Sequence, residues 1–286
     1  MTERSRETRE SIAAIDISRS YRGKGLLFLL SAALLILGCR PRLLPLPLLP
    51  ASVPPPGIES FIVGRSVEGR PIECVAAGEA GDVLLIIASI HGDETGGTPL
   101  VRHLIKVLEA RRDLVRSRRV VVIPEANPDG VARRSRHNAR GIDLNRNFDT
   151  PNWSPGRRAG EIPFSEPESR AIAMVIRTFR PDRIVSIHEP LGCIDYDGHG
   201  EAMAMGIAEY SDLPVRKLGG RPGSLGSYAG VDKGIPTITL ELPPGASEVP
   251  SRVLWEAYGT LLLSAVRYPD PVRELEISGF FRNHPH

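Results

Sequence analysis

Cysteine is nearly absent from the 286 residues: there are three, Cys39, Cys74 and Cys193. So few argue against a disulfide scaffold, and a chain of this length buries enough surface to fold on one core without such staples. Net charge is almost absent as well, +2 from 36 basic and 34 acidic side chains. A balance this even offers no field suited to a polyanionic backbone, which argues against a nucleic-acid binder. Aromatic residues are scarce at 5%, and no apolar run is long. The longest, Leu26–Gly38, has 13 residues, short of the roughly 20 that a bilayer-spanning helix needs. No segment repeats. What remains is a chain that is 41% hydrophobic and 24% charged, the proportions of a globular protein rather than a disordered one. Its 28 Gly and 26 Pro imply many loops.

The surplus positive charge is confined to residues 1–38, which hold six basic side chains (Arg4, Arg6, Arg9, Arg19, Arg22 and Lys24) and four acidic ones. Basic residues followed by an apolar run have the layout of a secretory signal. The run ends at Ile36-Leu37-Gly38-Cys39, which resembles the lipobox of bacterial lipoproteins, where the cysteine is lipidated. Residues 1–39 are therefore expected to be a signal or lipoprotein-like leader. The expected location is outside the cytoplasm, tethered to the membrane by an N-terminal anchor or lipid. An uncleaved short anchor, or a cytoplasmic protein, is the alternative. Residues 40–57 carry seven prolines, a density that forbids helix and sheet and favours an extended spacer. A domain over 58–270 and a polar tail over 271–286 complete the expected organisation.

Within that domain, short apolar runs alternate with longer amphipathic ones. Val83–Ala88, Val120–Ile123, Ile184–Ile187 and Thr237–Leu242 read as buried strands. Helices are expected from Thr98-Pro99 to about Arg111 and over Ser251–Val266. A third runs from the capping-box pattern Ser165-Glu166-Pro167-Glu168 to about Phe179. Such alternation predicts an α/β fold with a mixed, largely parallel central sheet and helices on both faces.

Ionisable residues gather where these strands end. His91 and Glu94 follow the first strand, His188 follows the third, and Glu241 lies in the last. Ligands bind at such strand ends in open α/β sheets. Two imidazoles and one carboxylate are the ligand set of a catalytic zinc, which keeps a position open. The same set would also accept other divalent ions. Zinc chemistry needs a separate carboxylate to move protons, and Glu241 is the candidate. Taken singly, His91-x-x-Glu94 arises often by chance, and a histidine after a strand is commonly a loop hydrogen-bonder. A glutamate inside an apolar strand is harder to dismiss, since an unpaired buried carboxylate is costly. Between Ile123 and Ile162 lies a long stretch read as loop, holding Asn127-Pro128-Asp129-Gly130, Arg136 and Gly141–Asp149. Loops of that length are uncommon unless functional.

HGDE, NPDG, GIDLNRNF, SEPE, SIHEPLGCI and PGSLGSY leading to ITLELPP occur in that order from Ile90 to Pro244. Together they resemble the zinc metallocarboxypeptidase superfamily, and within it the murein-amidase branch, which cuts γ-D-glutamyl–meso-diaminopimelate bonds in peptidoglycan peptides. The resemblance implies one zinc ion held by His91, Glu94 and His188, with Glu241 as the general base. It implies that Arg136 stabilises the oxyanion, and that Asn145 and Arg146 grip the carboxylate of the departing residue. The expected activity is a zinc metallocarboxypeptidase or amidase that hydrolyses the amide bond next to a carboxylate-bearing terminal residue, with a cell-wall muropeptide as the peptide substrate. The chemistry is sound without the family, since a guanidinium's planar fork binds a carboxylate through two hydrogen bonds. A fixed cation near the metal also suits a developing oxyanion. Arg136 has a plainer reading as a solvated surface arginine among Arg133, Arg134 and Arg140.

Many carboxypeptidases place a mobile tyrosine before the PGS segment. Here the stretch is Lys217-Leu218-Gly219-Gly220-Arg221, so Arg221 is a candidate for meeting an extra negative charge, and Tyr228 is expected to be structural. His103, His199, His284 and His286 are not expected to be ligands, and no disulfide is expected between Cys74 and Cys193. Two other functions stay open. One is a small-molecule N-acyl amino acid deacylase of the aspartoacylase and succinylglutamate desuccinylase type, which shares HGxE and DLNR segments. The other is a non-catalytic wall-binding lipoprotein, whose expected sign would be a missing ligand or base.

Overall fold

A computed structural model describes residues 57–79 and 81–271. The leader, nearly all of the proline-rich stretch, and the tail past 271 lie outside the described residues. Seven strands form one sheet in the order β1-β2-β4-β3-β5-β7-β6. They are β1 (Ile58–Arg65), β2 (Pro71–Gly78), β3 (Asp82–Ala88), β4 (Arg118–Ile123), β5 (Arg183–His188), β6 (Cys193–Asp197) and β7 (Thr237–Glu241). The four central strands, β4, β3, β5 and β7, run parallel, while β2 and β6 join them antiparallel and β1 pairs antiparallel with β2. The expected mixed sheet is thus parallel at its centre and antiparallel at both flanks.

The central strands read as unbroken apolar runs because both of their faces are covered. Side chains alternate across a strand, so Leu84, Ile86 and Ala88 of β3 point to one face while Leu85 and Ile87 point to the other. The first face is packed by α1 (Gly97–Ala110), α4 (Glu201–Ala208) and α5 (Ser251–Arg267). In α1, Leu100, Val101, Leu104, Val107 and Leu108 recur at helical spacing and are all buried. The second face is packed by α3 (Pro167–Phe179), through Ile172, Val175 and Ile176, and by the aromatic group Phe148, Phe164 and Tyr228. Among the described residues no helix is long and apolar enough to cross a membrane.

Two expectations need correction. The stretch from 124 to 162 is not all loop, since it contains the helix α2 (Pro128–Arg133) and a 3-10 turn at Leu144–Arg146. The capping box at Ser165–Glu168 is not made. Pro167 opens α3 after Glu166, which makes no side-chain cap. The two carboxylates are used elsewhere: Asn138 Nδ2 donates to Glu166 Oε2 (2.7 Å) and Glu168 Oε2 (3.2 Å), and Val67 N donates to Glu168 Oε1 (3.0 Å). Tethering a long segment outcompetes capping here, because a buried carboxylate must find donors wherever they lie.

Candidate active site

The segment after β3 starts with a sharp turn. Ser89 is buried and adopts φ 50°, in the left-handed region, with its hydroxyl 2.9 Å from that of Thr98 and donating to the Glu94 carbonyl (3.2 Å). Such backbone costs of order 1–3 kcal/mol and persists where its surroundings hold it. The next segment is pinned by Asn127, whose amide donates to Ile90 O (3.3 Å) and whose Oδ1 caps α2 through Gly130 N (2.9 Å). The HGDE and NPDG segments approach so closely that a Cβ on Gly92 would stand 2.0 Å from the Gly130 carbonyl carbon. Only glycine fits.

His91 and Glu94 leave that turn facing His188, the last residue of β5. His91 Nδ1 lies 2.8 Å from Glu94 Oε1, His188 Nδ1 2.8 Å from Glu94 Oε2, and the two Nδ1 atoms 3.1 Å apart. One donor atom from each of the three residues falls within 4.8 Å of the others, and all three side chains are buried. This donor set and its compactness fit a zinc ion. The far side of His91 is fixed as well: its Nε2 lies 3.1 Å from Asp143 Oδ1. A carboxylate there sets the tautomer that leaves Nδ1 free to bind metal.

Burial alone would raise the pKa of the Glu94 carboxyl, but the two histidines overcome that and hold it well below the ordinary value. Asp143 is likewise depressed: burial opposes ionisation, and His91, Arg136 and Arg146 outweigh it. His91, whose pKa burial would lower, is raised by its bonds to Asp143 and Glu94.

Glu241, the last residue of β7, pairs in register with His188 of β5 and Cys193 of β6, so the sheet's register sets its carboxylate beside the cluster. Burial pushes its pKa up, with His188 pulling the other way. Its Oε2 accepts a long bond from Leu191 N (3.4 Å). A carboxyl raised by desolvation beside a metal cluster is suited to take and return a proton.

Arg136 donates from Nη1 to Glu94 Oε1 (2.8 Å) and from Nε to Asp143 Oδ2 (3.2 Å), so it borders the cluster rather than projecting into solvent. Asn145 donates its backbone N–H to Asp143 Oδ1 (2.9 Å), and its side-chain Oδ1 accepts from Leu225 N (2.8 Å), which leaves the amide nitrogen to donate elsewhere. Among the described residues the Arg146 guanidinium makes one hydrogen bond, from Nη1 to Asn145 O (2.6 Å). Burial lowers its pKa; the charge of Asp143 pulls the other way, and those of Arg136 and Arg221 lower it again. Among the described residues no carboxylate lies within ion-pair distance of Arg146 or Arg221, so this mouth offers cations without their own anions.

The structure thus brings His91, Glu94, His188, Glu241, Arg136, Asn145 and Arg146 into one cleft. His103 is elsewhere, stacked on Trp255 with ring centroids 4.3 Å apart, and His199 is exposed. Cys74 and Cys193 are both free and buried. Tyr228 packs against Phe148 and Phe164, and burial pushes its pKa to about 12. Sequence reasoning missed Asp143. It lies inside GIDLNRNF, two residues before Asn145, but an aspartate in a loop has no pattern that marks it as a histidine's partner.

The sequence profile described as zinc carboxypeptidase matches residues 54–202. Murein peptide amidase A of Escherichia coli (strain K12) is 35% identical over 230 residues, covering 73% of this chain and 90% of that protein. The protein of the same name from Vibrio campbellii is 31% identical over 221 residues, covering 70% and 85%. Among solved structures, the murein-tripeptide amidase of Escherichia coli O157 superposes with a TM-score of 0.58 at 29% identity, covering 82% of this chain and 95% of that one. Carboxypeptidase A from Helicoverpa armigera, at 22% identity and a TM-score of 0.60 over 75% and 70% of the two chains, shares the fold.

Proposed function

The chain belongs to the zinc carboxypeptidase family, and from that membership we propose that this zinc metallopeptidase hydrolyses the amide bond before a terminal residue in murein peptides, between γ-D-glutamate and meso-diaminopimelate. One arrangement supports the reading. A buried two-histidine, one-glutamate cluster has Glu241 next to it in register, and the unpaired guanidinium of Arg146 stands at the same mouth. The two murein amidases whose sequences align over most of this chain supply the substrate class.

His91, Glu94 and His188 would hold the zinc, which when bound supplies Lewis acidity toward a carbonyl and toward water. Asn145 and Arg146 take the leaving residue's α-carboxylate and so fix the peptide's register in the cleft. Arg136 faces the carbonyl oxygen as negative charge grows on it. Glu241 accepts the proton from the attacking water and delivers it to the nitrogen of the broken amide, so the departing residue leaves as an amine. Asp143 holds the His91 ring and the Arg136 guanidinium together. Export and tethering through residues 1–39 is a proposal that rests on the leader pattern alone. Detergent-dependent release of the wild type from membranes, lost in Cys39→Ser, would support it; equal solubility of both would oppose it.

The direct test is to incubate the zinc-loaded protein with L-Ala-γ-D-Glu-meso-diaminopimelate and follow free diaminopimelate by mass spectrometry. A chelator control and Glu241→Gln run alongside. Release that the chelator abolishes, and that Glu241→Gln lowers about 10²–10⁴-fold, is expected. Turnover of N-acyl amino acids alone would move the activity to the deacylase class.

A further inference from the structure

On the face of the sheet that carries Glu241, the register arranges side chains in rows. His188, Glu241 and Cys193 make the first row, Ser186, Thr239 and Asp195 the second, and Ile184, Thr237 and Asp197 the third. The second row lies about 7 Å below the first, two residues at about 3.3 Å each. Its centre is open. Thr239 is the middle residue of a strand flanked on both sides, yet it is partly exposed while Ile238 and Leu240 beside it are buried. A hollow therefore reaches the sheet at Thr239, directly beneath the proposed base.

The walls of this hollow are polar. Asp195 is 6% exposed, and its carboxylate accepts from backbone N–H groups alone, Leu218 N at Oδ1 (2.7 Å) and Tyr196 N, with no side-chain donor among the described residues. Ser186 is 2% exposed, and its Oγ has no hydrogen-bond partner among the described residues. An unpaired hydroxyl and a carboxylate without a bonded cation, both buried on one row, are costly unless a ligand completes them. Lys217 and Arg221, both exposed, lie near enough for their charges to act on Asp195, and that of Arg221, which has no carboxylate partner among the described residues, also acts on Arg146. Arg221 is therefore within electrostatic range both of Arg146, which takes the α-carboxylate, and of the buried Asp195 carboxylate.

We propose that Asp195 determines which terminal residue is released, by receiving an ammonium group on that residue's side chain, while Arg221 receives a carboxylate carried on the same side-chain end. The inference rests on the reading that Asn145 and Arg146 hold the leaving residue's α-carboxylate. A side chain reaching about 7 Å from the scissile bond places its tip at Asp195. The preferred leaving residue is thus one whose side chain ends as a zwitterion. A plain acidic side chain would face Asp195 without compensation, and a plain basic one would leave Arg221 unanswered. Selectivity at Asp195 is strong, because a substrate without the ammonium leaves a buried charged group unpaired, whereas the exposed Arg221 stays solvated and discriminates less.

The test compares L-Ala-γ-D-Glu-X peptides on the zinc-loaded enzyme. X is meso-diaminopimelate, 2-aminopimelate (side-chain ammonium removed) or lysine (side-chain carboxylate removed). In the wild type, kcat/KM for diaminopimelate is expected to exceed that for 2-aminopimelate by about tenfold or more. In Asp195→Asn, which keeps the acceptor for Leu218 N, that ratio is expected to fall toward one, chiefly through a higher KM for diaminopimelate. Arg221→Ala is expected to narrow the gap between diaminopimelate and lysine instead. Zinc content and the melting curve check that each variant folds. Wild-type enzyme that cleaves diaminopimelate and 2-aminopimelate peptides equally well, or Asp195→Asn with its ratio intact, overturns this inference and leaves the proposed function standing. A wild type that cleaves none of the three peptides overturns both.

Discussion

Replacing Asp143 by Asn changes few atoms and removes one charge, so its effect on metal binding can be worked from the hydrogen bonds it makes. Asp143 accepts from His91 Nε2 (3.1 Å) and Asn145 N (2.9 Å) at Oδ1, and from Arg136 Nε (3.2 Å) at Oδ2. An asparagine with its oxygen at the Oδ1 position keeps the first two bonds. Its amide nitrogen then faces the Arg136 donor, and the alternative flip breaks two bonds to mend one. A hydrogen bond to a charged group contributes about 1.5–3 kcal/mol and a neutral one about 0.5–1.5. The His91 contact alone therefore weakens by about 1–1.5 kcal/mol, close to one factor of ten. Removal of such an outer carboxylate elsewhere costs 10–100-fold in metal affinity. The zinc dissociation constant of Asp143→Asn is thus expected to rise about 10–100-fold, and that of Asp143→Ala at least as much. Competition against a chromophoric chelator of known affinity measures it, with urea unfolding in excess chelator to confirm that the apo variant folds. An affinity within about twofold of wild type, in a folded variant, would refute the role given to Asp143.

Arg136→Ala is expected to lower kcat about 10²–10³-fold with zinc retained, and Arg136→Lys to recover part of that, since lysine restores the charge but not the fork; steady-state kinetics with metal analysis decides. Asp197 is 5% exposed and lies beside Asp195, and desolvation followed by that neighbour raises its carboxyl pKa to about 6. Because the folded state holds this proton more tightly than the unfolded chain, its contribution to stability is full below about pH 4 and is lost as pH rises to about 6. Asp197→Asn is expected to remove ~1–2 kcal/mol of that fall, allowing for solvent screening. Urea unfolding at pH 4.5 and 7 measures it, and the same pH difference in both proteins would sink the assignment.

Strands β3, β4, β5 and β7 could be read from the sequence because burial on both faces makes them continuous apolar runs. Strand β6 could not. Its residues Cys193-Ile194-Asp195-Tyr196-Asp197 put Ile194 and Tyr196 into the core, but the alternating aspartates read as turn chemistry; Asp195 faces the hollow at Thr239, and Asp197 is packed against Gly220, Gly226 and Gly230. Strands β1 and β2 mix exposed and buried positions at the sheet's flank, which blurs their alternation. In the cleft, the histidines and Glu241 announce themselves because ionisable groups at the ends of apolar strands need a reason. Asp143 and Asp195 carry no such signal, since what they do depends on neighbours 52 and 23 positions away in the chain, His91 and Leu218. Ser165–Glu168 taught the opposite lesson, where a recognisable local pattern lost to long-range partners.

The registration of β5, β7 and β6 has a consequence for how such an enzyme can diversify. His188 and Glu241 take their spacing from backbone hydrogen bonds between parallel strands in the protein's interior, and slipping that pairing by one residue would turn every side chain to the opposite face. Asp195 and Arg221 belong to a flanking strand and to an exposed glycine-bordered stretch. Point changes there alter which side chain is accepted without touching the pairing that fixes the reactive groups. Reactivity and preference therefore rest on different parts of the fold, and a change in the second leaves the first in place.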